Sequence, residues 1–316
     1  MLKKLGFYRG VNLGGWLSQC DYSEERLHHF ITKQDLEKIA AWGADHVRIP
    51  VDHNVLEEGK GFSEEGFALL AQAAEDCRAL GLHVVIDLHK TAGFSFDTYG
   101  EDEHGFFESA ALQERFYRLW EEIARRFGDA PDRIAFELLN EVTDRDYLPV
   151  WNQVVRRCIA RIRTFAPETL ILVGSYWNNA AEAVKDLEAP FDSRVVYNMH
   201  CYEPLTFTHQ GAYWTDAIDP EVRIPFAESG TDAAYFEDLF ASAIEKAKAN
   251  GVPLYCGEYG VIDRTAPEDA LAWYRTIHSV FERHGIGRCA WSYKAMDFGL
   301  TDPRLDSVRG ELLRCL

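Results

Sequence analysis

"SEEGFALLAQAAEDCRALGLHVVIDLHK" spans residues 63–90 and holds two structural periods in one run. From Ser63 to Gly81 the pattern is helical: Ser63 can cap, Phe67, Leu70, Ala74 and Cys77 form one apolar stripe, and Gly81 ends it. After the link "GL", the run "HVVIDLH" (83–89) reads as a buried strand. A helix joined so tightly to a buried strand is part of a repeated βα unit.

The same alternation runs along the whole chain. Candidate strands are "FYRGVNL" (7–13), "HVRIPV" (46–51), "HVVIDLH" (83–89), "IAFELLNE" (134–141), "LILVGS" (170–175), "VVYNMHCY" (195–202), "PLYCGEYG" (253–260) and "GRCAWSY" (287–293). Helical stretches between them include "ALQERFYRLWEEIARRFG", "VWNQVVRRCIARIRTF", "YFEDLFASAIEKAKANG" and "ALAWYRTIHSVFERHG". Eight such units in 316 residues predict an α/β chain closed into a (β/α)8 TIM barrel, as one catalytic domain over 1–316. An open dinucleotide-binding sheet fits less well, because "GVNLGG" does not spell G-x-G-x-x-G. Links from helix to strand are short, whereas the segments 90–108 and 203–231 after strands are long. Barrel enzymes build their sites on that side.

Composition narrows the partners. A formal charge of −18 disfavours binding to nucleic acid phosphates or an anionic membrane surface. No run of about 18 apolar residues suggests a membrane span, and "MLKKLGFYRG" lacks the apolar core of a signal peptide. Seven cysteines, an odd number without C-x-x-C, read as reduced buried thiols. The expected location is the cytoplasm, unless a native leader lies outside this chain.

At the strand ends stand Arg48, His89, Glu141 after Asn140, His200 with Tyr202, Glu258, and Trp291 with Lys294. In a closed barrel these ends converge on one bowl. Glu141 and Glu258 each follow a buried apolar run, a costly place for a carboxylate without a task. Two facing carboxylates whose surroundings separate their pKa values can divide acid and nucleophile work, the chemistry of glycoside hydrolysis.

These residues give the chain a resemblance to glycoside hydrolase family 5, the cellulase and exo-1,3-glucanase family of retaining barrels. "RGVNLGGWL", "VRIPV", "LLNE", "HCYEPLTFTHQGAYW", "CGEYG" and "WSYKAMDFGLTD" look like its strand-end signatures over essentially the whole length. The resemblance implies Glu141 as general acid/base and Glu258 as nucleophile. It further implies Asn140 on the sugar 2-hydroxyl, Arg48 and Tyr202 on the nucleophile, and His200 beside the acid/base. His89 would bind a hydroxyl and Trp291 would stack on the sugar ring. The substrate would be a β-linked oligo- or polysaccharide, with no metal or organic cofactor. A retaining site predicts a carboxyl separation of ~5–5.5 Å, against ~6.5–9.5 Å for an inverting one.

Lys90 departs from the family pattern; solvent exposure is its default reading, with hydrogen bonds to two sugar oxygens or a pair with a neighbouring carboxylate as the alternatives. For Phe207, Tyr213, Trp214 and Phe226 in the long loop two readings stand: walls of further sugar subsites, or the loop's own apolar cluster. A G-x-S-x-G elbow, H-E-x-x-H and a P-loop are all absent from the sequence. A metal-dependent hydrolase and a non-catalytic carbohydrate-binding barrel are the rival classes. Among glucanases, 1,4, 1,3 and mixed linkages, endo and exo action, and mannan as substrate all stay open.

Overall fold

The computed structural model describes residues 1–97, 103–215 and 218–316. Residues 98–102 and 216–217 of the two long segments lie outside the described residues.

Eight parallel strands close a barrel: β1 (Arg9–Asn12), β2 (His46–Asp52), β3 (His83–Lys90), β4 (Ile134–Glu137), β5 (Leu170–Val173), β6 (Val195–Cys201), β7 (Leu254–Tyr259) and β8 (Gly287–Ala290). Each strand pairs with its neighbours in sequence, and β1 pairs with both β2 and β8. The main helices are α1 (Lys33–Ala41), α2 (Glu64–Ala79), α3 (Ala110–Phe127), α4 (Leu148–Ile162), α5 (Ala233–Asn250) and α6 (Pro267–His284). Capping explains their starts. Ser63, Ser109 and Asp232 each accept a backbone N–H from the first turn of the helix that follows.

Three expectations change in detail. On α2 the fully buried stripe is Phe67, Leu70, Ala73 and Cys77, with Ala74 half-buried at its edge. The fourth strand leaves its ladder at Glu137 rather than running to Glu141, although Leu138 N still donates to Leu172 O and Asn140 N to Leu88 O. Between β5 and β6 the long helix of the repeat is replaced by a 3-10 segment, Ala181–Asp186.

Alternation along the strands divides the core into two. Val84, Ile86 and Leu88 of β3, and Val195, Tyr197 and Met199 of β6, join the large cluster beneath the helices. Val85, Ala135, Val196, Tyr255 and Cys289 form a separate apolar plug inside the barrel. Above that plug the inward positions turn polar: Arg48, Glu137 and Asn198, from β2, β4 and β6, make one hydrogen-bonded layer. Among the described residues no helix is long and apolar enough to cross a membrane.

Candidate active site

The polar layer is the floor of the site, and Arg48 organises it. Its guanidinium is fully buried and makes a forked pair with Glu137, Nε to Oε2 at 2.7 Å and Nη2 to Oε1 at 2.8 Å. Nη1 donates to Glu258 Oε1 at 2.7 Å and to Asn12 Oδ1 at 3.0 Å. Nη2 also reaches Asn140 Oδ1 at 2.8 Å and Asp87 Oδ2 at 3.0 Å. Burial opposes the Arg48 charge, but Asp87, Glu137 and Glu258 outweigh it and raise its pKa. One cation cannot neutralise three buried carboxylates. Asp87 relieves the imbalance, since burial pushes it up to about 7 against the lowering effect of Arg48.

Glu258 reaches this floor through a break in strand register. Along β7, Tyr255 lies in the inner plug and Cys256 in the outer core, so strict alternation would send residue 258 outward. The pairing with β6 skips one residue, from Met199 opposite Cys256 to His200 opposite Glu258. This bulge at Gly257 inverts the alternation. Glu258 turns inward onto Arg48, and Tyr259 packs outward among Trp273, Tyr274 and Phe281 of α6. Asn198 holds the bulge, accepting from Gly257 N at 2.9 Å while donating to Glu137. The second oxygen of Glu258 accepts from the Tyr202 hydroxyl at 2.9 Å.

Glu141 has other company. Its φ of 45° turns the chain sharply just past β4. Oε1 pairs with His200 Nδ1 at 2.7 Å, and Oε2 accepts from Asn178 Nδ2 at 3.0 Å. Burial raises its pKa above the ordinary glutamate value, with the Asn178 hydrogen bond opposing. Burial lowers His200 to about 4, so the ring is neutral at neutral pH. Glu141, His200 and Glu258 each place one ligand-type atom within 4.8 Å of the others. One oxygen of each carboxylate is therefore near the other and near the same imidazole.

The remaining expected residues line the same bowl. His89 donates through Nδ1 to Asp87 at 2.6 Å, lies parallel to Trp291 with centroids 5.9 Å apart, and keeps Nε2 without a protein partner. Asn140 likewise has an unpartnered Nδ2. Such buried polar atoms are suited to sugar hydroxyls. Gly14 lets Trp291 approach, because a Cβ there would lie 2.7 Å from the indole.

Residues 9–297 match the model of the cellulase family, glycosyl hydrolase family 5. The chain belongs to that family. This family 5 chain is 57% identical to cellodextrinase A of Ruminococcus flavefaciens over 289 residues, 91% of this chain and 86% of that one. It is 32% identical to endoglucanase C of Acetivibrio thermocellus over 340 residues, covering 99% and 98%. Among solved structures, it resembles the cellulose synthase subunit Z of Clostridioides difficile (25% identity, TM-score 0.84, 98% and 99% covered). A hyperthermophilic endo-β-1,4-glucanase in complex with substrate shares the fold at 23% identity and TM-score 0.83, with 98% and 97% covered. Our family 5 chain is an O-glycosyl hydrolase of the β-glucanase type, with the retaining chemistry of its family.

Lys90 corrects an expectation: it is buried, donates to the Tyr22 hydroxyl at 3.3 Å and lies 3.9 Å from Asp52. Its backbone belongs to β3, so Asp52 at the end of β2 is within reach. Of the loop aromatics, Phe207 and Phe226 pack together into the core, as the apolar-cluster reading expects, and Tyr213 and Trp214 are 71% and 47% exposed. Sequence reasoning missed Asp87, Glu137, Asn178 and Asn198. A signal existed for two of them, since Asp87 and Glu137 are acids inside apolar strand runs.

Proposed function

We propose that Glu258 is the nucleophile and Glu141 the general acid/base, and that short cello-oligosaccharides are the substrate. The observation carrying this reading is the unequal support of two adjacent carboxylates. Glu258 accepts from a guanidinium and a phenol, whereas Glu141 has an amide and a neutral imidazole as partners and its burial favours the protonated form. In the first step a Glu258 oxygen bonds to the anomeric carbon as the glycosidic bond breaks, and the leaving oxygen takes the Glu141 proton. In the second, Glu141 removes a proton from water, whose oxygen replaces Glu258 at the same carbon. Asn140 Nδ2 and His89 Nε2 hydrogen-bond hydroxyls of the bound sugar, and Trp291 stacks on its ring. The similarity to a cellodextrinase supports a short substrate.

The test is hydrolysis of cello-, laminari- and manno-oligosaccharides, with products sized and the nascent anomer read by NMR. β-Anomers released from the cello series are expected. α-Anomers would refute double displacement, and preference for another series would refute the substrate.

The pH profile provides a separate check. Glu141 must carry its proton in the first step, and its raised pKa keeps the proton to higher pH. Consequently kcat/KM should decline only as pH rises through that raised value, above the ordinary ~4.3 of glutamate. A decline already complete at pH 4.5 would contradict the assignment.

A further inference from the structure

The loop after β5 holds three consecutive residues in the left-handed region: Trp177 (φ 52°, ψ 50°), Asn178 (φ 56°, ψ 49°) and Asn179 (φ 58°). Asparagine visits this region readily, but tryptophan does not. Such a run persists only where its surroundings over-determine it, and strained segments of this kind concentrate at functional sites. Here the surroundings are the two chain segments flanking the acid/base. Asn178 N donates to Val142 O at 3.0 Å, one residue past Glu141, and Ala180 forms a parallel bridge with His200.

The side chains repeat that attachment. Asn178 Nδ2 donates to Glu141 Oε2 at 3.0 Å, and Asn179 Nδ2 lies 3.3 Å from His200 Nε2. His200 Nδ1 faces two carboxylates, Glu141 at 2.7 Å and Glu258 at 3.8 Å. Its single proton therefore belongs on Nδ1, which leaves Nε2 to accept from Asn179. Asn179 is fully buried against Gly174, where a Cβ would come within 2.1 Å of its Oδ1. The segment thus reaches both oxygens of Glu141, one directly and one through His200.

We propose that Asn178 and Asn179 are positioning residues for proton donation to the leaving group: Asn178 orients Glu141 directly, and Asn179 fixes the His200 tautomer that orients its other oxygen. This rests on the reading of Glu141 as acid/base. In the first step, which kcat/KM reports, that orientation delivers the proton. Departure of a sugar alkoxide needs that proton, whereas departure of a dinitrophenolate does not.

The experiment compares cellotetraose with 2,4-dinitrophenyl β-cellobioside for wild type, Asn178→Gly, Asn179→Gly and Glu141→Ala. Glycine removes each side-chain donor and accepts the positive φ of both positions without strain. For both asparagine variants kcat/KM should fall about 10–100-fold on cellotetraose and less than about 3-fold on the dinitrophenyl substrate. Activity on the activated substrate also reports that each variant is folded. Equal losses on both substrates, or no loss on either, would overturn the proposal. If Glu141→Ala shows the asymmetry and the asparagine variants do not, only the positioning role falls. If Glu141→Ala loses both substrates equally, the acid/base reading falls with it.

Discussion

Glu258→Ala should reduce hydrolysis of every β-glucoside substrate by ~10⁴-fold or more while the protein stays folded. Losing the nucleophile removes the covalent route, and nothing on the far side of the sugar replaces it. The fold should survive because Arg48 keeps its forked pair with Glu137 and its contact with Asp87. Near-UV circular dichroism is the control for that. Adding azide with an activated aryl β-cellobioside then tests the role by stereochemistry. A small anion entering the space left by the carboxylate displaces the aryl group once, and one displacement inverts. The α-glycosyl azide is therefore expected from Glu258→Ala. From Glu141→Ala the β-azide is expected, because the anion intercepts the glycosyl enzyme in a second displacement. Exchanged stereochemistry would reverse the two assignments, and wild-type activity in Glu258→Ala would remove this residue from the mechanism.

Arg48→Leu should be the most destabilising single change in the site. It leaves Glu137, Asp87 and Glu258 in a buried layer without their shared cation. Breaking one buried pair typically costs about 3–5 kcal/mol, because the abandoned charge remains. For a chain of this size that is a Tm decrease on the order of 10 °C. The sign of a double-mutant cycle identifies the cause. Glu137→Gln should destabilise the wild type, where it weakens the fork, yet stabilise Arg48→Leu, where it removes an unpaired charge. Additive effects would show that Arg48 acts through packing alone. An unchanged Tm in Arg48→Leu would contradict the layer as described.

Much of the barrel was legible because its signals are local. A helix cap, an apolar stripe and a two-residue link are all written within 63–90, and this unit recurs with little change. The replacement of a helix by the 3-10 segment Ala181–Asp186 was less legible. The expected site residues were visible as polar groups closing apolar runs, and all of them meet in one bowl. The default reading of Lys90 as exposed fails and the alternative of a neighbouring carboxylate stands, because its partners, Tyr22 and Asp52, come from distant segments of the chain. Asn178 was invisible, since an asparagine in a loop carries no periodic signal.

What the sequence determined by itself, then, was the repeat, the closed barrel and the identity of the residues at its mouth. These follow from apolar periodicity and turn chemistry, which act over a few residues at a time. Only the tertiary structure decided which way those residues face and whom they meet. Period-two reading places residue 258 on the outer face of β7, with Tyr255 and Gly257 inward. The bulge at Gly257, held by Asn198 from the neighbouring strand, reverses that direction and delivers Glu258 to Arg48. Such a reversal depends on hydrogen bonds between strands far apart in the chain. The same holds for the sharing of Arg48 among three carboxylates, because electrostatic environment is set by neighbours in space rather than in sequence.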